Sequence, residues 1–576
     1  MAGFGWTDSA TTTLIDDNDI LEAFVYQVNL GGGDYAFEKW NSNALTYTLN
    51  VGDTNPDGEV VGAWTASLTA AIQAAIADIE AISGITFTEI ADNVDGTDGA
   101  DIDFWYYNNP SDGAAGYSYG VAGSGVYLDE DSVYVAGGSF DDGLAYGGIN
   151  YRTVIHELLH NIGVAHPHDR YDSLPGVVNS SDPGDFSLNQ NLYTVMSYNR
   201  VQQVDANGEE TTGWPWTVSS VDQSFGVLGA FDIAIVQALY GANMSTATGD
   251  DIYDIPTANG DGVYFKSIWD AGGTDTFRYT GSDGVRIDLR AATLDIADGM
   301  RAGGIASRVV GVYGGFTIAN GVEIENAIGG TGDDTLQGNQ VANTITAGRG
   351  ADTLIGGSDD DELHGNGGGD FLYGGSDDDM IWGQGGTDDL EGGSGADALY
   401  GGGGEDTLTG NADNDILEGG DKGDELYGGG GTDTLRGNDG ADLLRGGSDG
   451  DDLRGGKGKD TLEGGDGADT LKGQKGDDTL KGEAGADRLE GGEGNDRLTG
   501  GAGADVFVFD GDGDEGTDRI TDWDDGTDMI EISGSTTYGD LSFAVVNGNM
   551  QVTWGANKII LEGVTAGIDA SDFDFV

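Results

Sequence analysis

The chain has 576 residues, 102 of them acidic against 24 basic, for a formal charge of −78. That length suits about three or four domains, and so acidic a surface repels nucleic acid and anionic membranes, attracts cations and suggests a saline setting. Cysteine is absent, which excludes disulfides and thiolate metal sites, and no apolar run approaches the roughly 18 residues of a membrane span.

Residues 1–20 begin Met1-Ala2-Gly3-Phe4-Gly5-Trp6, without the basic and apolar regions of a cleavable signal peptide; they read as a tail or a short propeptide. Residues 21–245 carry an ordinary α+β pattern. Leu68, Ile72, Ile76, Ile79 and Ile82 recur at helical spacing and predict a helix over 64–82. Strand-like runs cover 45–49, 85–90, 102–107, 126–128 and 132–135. Between them, Gly116-Tyr117-Ser118-Tyr119-Gly120 matches the GxSxG of serine hydrolases, but glycine-rich residues follow where that motif needs a helix. Ser118 therefore reads as a loop residue near a cleft.

A helix predicted over 150–162 carries the stretch that specifies a reaction. His156 and His160 are four residues apart and project from one helical face. Glu157 points toward the same cleft, placed to take a proton from a metal-bound water. Gly163 suits the left-handed residue that ends a helix, after which the turned chain delivers His166. Three imidazoles with an open fourth position are the usual design of a catalytic zinc site. His168, beyond Pro167, reads as an exposed neighbour. Met196 would form an apolar turn beneath the zinc, and Tyr198 would reach the metal or a substrate oxyanion. A last helix is predicted over 228–240, with Phe231, Ile235, Val236 and Leu239 on one side.

Composition changes near residue 250, and a nine-residue repeat dominates the chain downstream of it. Its aspartates are Asp334, Asp352, Asp361, Asp370, Asp379, Asp388, Asp397, Asp406, Asp415, Asp424, Asp433, Asp442, Asp451, Asp460, Asp469, Asp478, Asp487, Asp496 and Asp505, with Asn343 keeping the register at the one missing place. Two residues after each stands an apolar one, from Leu336 to Phe507. A disordered low-complexity tail would not hold that phase. Two units make one coil of a parallel β-roll, with glycine-rich half-turns supplying carbonyls, the aspartates supplying carboxylates and calcium between neighbouring coils. About ten coils at ~4.8 Å per strand give a roll close to 50 Å long. A cap follows the last repeat, with strands expected over 541–546 and 550–554. Asp510, Asp512 and Asp514 imitate the start of an EF-hand, but Glu515 and Thr521 stand where its Gly and bidentate Glu are needed.

Taken together, the stretches 156–167 (HELLHNIGVAHP), 195–198 (VMSY) and the nonapeptides resemble the serralysin family, secreted metzincin proteases with a C-terminal RTX β-roll. The likeness extends to residues 239–244, 269–277, 324–330 and 516–522. It implies an α+β metzincin catalytic domain (21–245), the start of a calcium-binding β domain (246–328), an all-β parallel β-roll (329–508), and a C-terminal β cap with the secretion signal (509–576). It implies one catalytic zinc held by His156, His160 and His166, Glu157 as general base, and Tyr198 as a retractable zinc ligand supporting the tetrahedral intermediate. Structural calcium ions would take Gly249, Asp270, Gly272, Asp275 and Glu325 in addition to the repeat aspartates.

The family leaves the bacterial cell through a type I exporter, and the ending Asp572-Phe573-Asp574-Phe575-Val576 looks like its signal. The expectation is thus a secreted, calcium-stabilised zinc endopeptidase, monomeric, acting on polypeptides laid along an edge strand near 118–126. A calcium-dependent adhesin or surface-layer protein with an inactive protease-like head is the alternative. The roll is longer than expected for the family, which hints at an added role in anchoring, salt tolerance or stability.

Overall fold

The computed structural model describes residues 4–6, 27–31, 34–40, 43–49, 66–90, 102–107, 116–118, 125–129, 154–156, 158–159, 164, 228–259, 265–294, 307–312, 314–513 and 515–576. The chain divides into two compact units, Met1–Tyr279 with Arg286–Ile324, and Thr280–Val285 with Glu325–Val576. Among the described residues no helix is long and apolar enough to cross a membrane.

In the first unit a 17-residue helix, Ala66–Ile82, buries Ala71, Ile72, Ala75, Ile76, Ile79 and Ile82, the stripe expected from the three- and four-residue spacing. A five-stranded sheet runs in the order Thr86–Glu89, Ala44–Leu49, Ile102–Tyr107, Gly125–Asp129 and Gly116–Ser118. Its first three pairings are parallel, and the last is an antiparallel edge. The expected strands thus form, except that 132–135 lies outside the described residues. Ser118 is not in a loop. It closes an edge strand that pairs back on the next one, Ser118 opposite Val126, so GxSxG here is one arm of a hairpin rather than a strand-to-helix elbow. A separate three-stranded antiparallel sheet joins Phe4–Trp6, Asp34–Trp40 and Gln27–Gly31.

The helix Ala230–Tyr240 is buried on nearly every side, Asp232, Ile233 and Ala234 included, not on one stripe alone. Asp232 is tolerated there because it accepts the Gly229 N–H at 2.8 Å and caps the first turn. The ends of the two helices are tied together. Gln237 donates to the Ile82 carbonyl (2.9 Å), Asn243 to the Glu80 carbonyl (2.8 Å) and Thr246 to the Ala81 carbonyl (2.6 Å). Gly84 passes so close that a Cβ there would lie 2.7 Å from the Tyr240 carbonyl oxygen.

The second unit is a parallel β-solenoid. Strands of six or seven residues pair in register with strands eighteen residues on, Leu354 opposite Leu372 and Leu363 opposite Ile381. One turn is therefore two nonapeptides, and alternate nonapeptides feed two separate sheets. Each strand turns one large apolar side chain inward, and from Leu336 to Phe507 all of these are fully buried. The coils stack so closely that Gly375, at φ +130°, would carry a Cβ 2.2 Å from the Gly357 carbonyl oxygen. Only glycine meets both demands.

The repeat gives way to a larger cap than expected. Besides Ser542–Val546 and Asn549–Trp554 it contains Thr517–Ile520, Met529–Ser533, Asn557–Leu561 and Phe573–Phe575. Phe507, Phe509, Ile530, Ile532, Val552 and Leu561 cover the last apolar layer.

Candidate metal sites

Residues 154–156 and 158–159 are helical, and Val154, Ile155, Leu158 and Leu159 are fully buried. This apolar packing fixes the segment that carries His156, which is itself buried. Val164 donates its N–H to the Leu159 carbonyl at 3.0 Å. A bond spanning five residues closes helices that end on a glycine, and the sequence supplies Gly163 just before Val164. Of the expected zinc constellation, His156 is described, as a buried helical imidazole fit to hold a cation. Glu157, His160, His166, Met196 and Tyr198 lie outside the described residues.

Downstream, Asp251, Asp270 and Asp275 each place a carboxylate oxygen within 4.8 Å of the others. Asp270 and Asp275 are buried. Asp275 accepts the Asp251 N–H at 2.8 Å, and Asp270 accepts the Gly272 N–H at 3.0 Å. Tyr253 donates its hydroxyl to Asp270, and burial pushes that phenol's pKa up. A Cβ on Gly273 would fall 2.1 Å from the Gly249 carbonyl, which therefore lies against this loop. The structure thus brings Asp270, Gly272 and Asp275 together in one loop. It adds Asp251, which only the run Gly249-Asp250-Asp251 signalled.

In the roll every repeat aspartate from Asp352 to Asp505 is at most 3% exposed. One oxygen, Oδ1, accepts the backbone N–H of the ladder residue one coil earlier, as from Asp334 to Asp352 (2.7 Å) and from Asp478 to Asp496 (2.8 Å). The other, Oδ2, has no hydrogen-bond partner in any of the seventeen from Asp352 to Asp496. Glycine keeps the space in front of it open; a Cβ on Gly356 would sit 2.2 Å from Asp361 Oδ2. An unsatisfied buried polar group costs about 1–3 kcal/mol, and more when charged. Seventeen in two rows is the donor set of a hard cation among carbonyl-rich turns, which fits calcium.

Burial raises these carboxyls to a pKa of about 7 at Asp352, 8 at Asp379 and 6 at Asp388. A carboxyl with a raised folded pKa holds protons that the unfolded chain has released, so its contribution favours folding below the unfolded value near 3.8 and is lost as pH rises through 6–8. Protonation therefore relieves the same buried charge that a bound cation would. In EGTA, circular dichroism should show more β structure at pH 5 than at pH 8; equal or greater order at pH 8 would contradict this.

The first coil differs. Asp334 has both oxygens satisfied, Oδ1 by the Val285 N–H (2.8 Å) and Oδ2 by the Gly330 N–H (2.7 Å). Asn343 accepts the Asn339 N–H (2.8 Å), and its amide donates to the Glu325 carbonyl (3.0 Å) and to Asn339 Oδ1 (3.2 Å). An amide N–H here meets the oxygens that a cation would otherwise serve. Asn343→Asp removes those donations and leaves a carboxylate facing two oxygens. It should lower stability by about 1–3 kcal/mol at calcium just sufficient to fold the roll and recover most of that at saturating calcium. Urea melts at both calcium levels test this, and an unchanged midpoint at the lower level would refute it.

Nine-residue counting also missed how far the ladder runs. Asp518 accepts the Asp496 N–H (2.9 Å) and Asp528 accepts the Asp505 N–H (3.2 Å), at steps of 22 and 23 residues. Both keep the pattern of Asp followed two residues later by Ile, at Ile520 and Ile530, which was the available signal. Glu515 beside them is buried, with Oε2 lacking a partner and its carboxyl raised to about 7 by burial.

These features define a class, a parallel β-solenoid whose coils meet at rows of buried carboxylates, preceded by an α+β unit in which the described residues of the HExxH stretch, 156 and 158–159, are helical. The particular family follows from comparison: residues 231–562 match the model of the peptidase M10 serralysin C-terminal domain, and the chain belongs to the serralysin family. It is 32% identical to metallopeptidase AprA of Pseudomonas marginalis and 33% identical to a serralysin of Proteus mirabilis. Each match covers 46% of this chain and 52% of the relative. Serralysin B of Dickeya chrysanthemi is 30% identical over 58% of this chain and 66% of its own length. The chain thus spans about half the length of the first two relatives. Among solved structures, the extracellular lipase LipA of Serratia marcescens aligns over 29% of this chain and 39% of its own, at 19% identity and a TM-score of 0.15, too weak a likeness to argue from.

Proposed function

We propose that the chain is a secreted, calcium-stabilised zinc metalloendopeptidase. The observation that carries this reading is the stretch 156–166, HELLHNIGVAH, in a chain of the serralysin family; the buried helical setting of His156 supports it. A zinc ion held by His156, His160 and His166 would supply Lewis acidity to a peptide carbonyl and to water. Glu157 takes the proton of the attacking water and passes it to the leaving amine. Tyr198 steadies the oxyanion with its hydroxyl, and would offer the same hydroxyl to the metal as a retractable ligand. An extended substrate pairs with the edge strand Gly116–Ser118 by β-augmentation, a role its place at the sheet edge permits.

In the roll, the ladder aspartates, with turn carbonyls, hold structural calcium. Asp251 joins Asp270, Asp275, Gly249 and Gly272 at an earlier site. A type I exporter reads the C-terminal segment, and the protein acts outside the cell as a monomer. The adhesin alternative is disfavoured because Glu157 and all three histidines are intact. Mass spectrometry of casein incubated with the purified protein in calcium tests the reading. Internal cleavage products are expected; intact casein would favour the adhesin.

A further inference from the structure

One face of the roll carries side chains that its own folding does not use. Strands Glu362–Gly367, Met380–Gly385, Ala398–Gly403 and Ile416–Asp421 pair in parallel and in register. Their second residues, Leu363, Ile381, Leu399 and Leu417, are buried inside, so the first and third of each share the outer face. This builds two columns, Glu362–Met380–Ala398–Ile416 and His364–Trp382–Tyr400–Glu418. In the second column the rings stack, His364 on Trp382 at 4.6 Å and 12°, and Trp382 on Tyr400 at 5.6 Å and 11°. Met380 is 53% and Ile416 42% exposed. On the neighbouring strands of this face the same positions are polar, Thr344 and Thr346 before the columns and Thr434 and Arg436, Asp452 and Arg454, Thr470 and Lys472, Arg488 and Glu490 after them; apolar residues return only toward its ends, at Ile328, Val506, Val508 and Met529. Coil stacking therefore does not require apolar residues here, and their concentration on adjacent strands marks a contact surface.

Charge indicates what would cover it. Between Arg349 and Lys422 the chain has no Lys or Arg. Glu362 and Glu418 close the columns at opposite corners, Glu362 hydrogen-bonded to His364 at 3.0 Å, Glu418 opposite Arg436 of the next coil and accepting the Asn438 amide at 3.3 Å. Beyond residue 422 the acids of the roll acquire basic partners one coil away, as in Arg445–Glu463, Lys481–Glu463, Lys457–Asp439 and Lys475–Glu493. The apolar columns thus fall in the stretch 350–421, which has no Lys or Arg of its own, and only their Glu418 end adjoins a basic residue, Arg436. The stacked rings spend their faces on one another and present edges, so a sugar ring finds no broad aromatic platform.

We propose that this face docks a basic polypeptide segment that also carries apolar side chains, the apolar ones against Met380, Trp382, Tyr400 and Ile416 and the cationic ones toward the Glu362 end, away from Arg436. The test uses the full-length protein in calcium and fluorescent peptides of alternating Lys and Leu, Lys and Ser, or Glu and Leu. The Lys–Leu peptide should bind best, and Met380→Ser with Trp382→Ser, which leaves the charge unchanged, should weaken it about tenfold or more. Ile416→Ser alone should act in the same direction, whereas Phe371→Ser on the opposite sheet should not. Calcium-bound circular dichroism checks each variant's fold, and Ile416→Ser decides if the double variant misfolds. Equal binding of the Lys–Ser peptide, undiminished binding by the variants, or displacement of the peptide by oligosaccharides would overturn the proposal.

Discussion

Glu157→Ala should abolish nearly all hydrolysis of casein while leaving zinc in place. Glu157 is not a ligand in the proposed constellation; its carboxylate moves a proton from water to the leaving amine. Loss of a positioned general base costs about 10²–10⁴-fold in turnover, and here it assists both bond formation and bond breaking. His160→Ala should behave differently, losing the metal along with the activity. A Glu157→Ala protein that keeps more than a tenth of wild-type turnover would contradict this role.

The second large effect is calcium dependence of the whole roll. One buried apolar side chain per nine residues is too little to offset the entropy of ordering the chain, and each coil adds two buried carboxylates, nearly all with an unpartnered oxygen. Calcium binding only to stacked coils then drives folding by linkage, and cooperatively, because each coil contacts only its neighbours. Circular dichroism of the full-length protein titrated with calcium should show most of the β signal appear in one steep transition. Magnesium should fail to replace it, since that smaller ion keeps its waters and demands near-ideal octahedral geometry. A full β signal in EGTA, or equal folding by magnesium, would contradict the account.

The roll was legible because its physics is periodic. One apolar residue and one aspartate every nine positions define the coil, the inward side chains and the carboxylate rows, and the pairing of Leu354 with Leu372 follows that count. The count failed where the chain changed step. Asp518 and Asp528 continue the rows after longer connections, and only the Asp-x-Ile spacing carried over. Asp251 was illegible because its partners Asp270 and Asp275 lie 19 and 24 residues away and meet it only through strand pairing. Ser118 was misplaced in a loop because its short glycine-flanked run carries no strand signal of its own, although the partner strand over 126–128 was legible. The stacking of His364 on Trp382 was illegible, since the two rings are eighteen residues apart and meet only between coils. The zinc constellation shows the opposite balance. Its motif is explicit in sequence, while His156 alone among its members lies within the described residues.

The central claim is a zinc-dependent peptidase carried on a calcium-built roll, and one paired measurement tests it most directly. Casein turnover and bound zinc are followed together in calcium buffer, first as purified, then after a zinc-selective chelator, then after zinc is restored. The account predicts one zinc per chain, loss of turnover in step with loss of zinc, and recovery of both. Turnover that survives complete removal of zinc, or a zinc-loaded and folded protein that leaves casein intact, would contradict it.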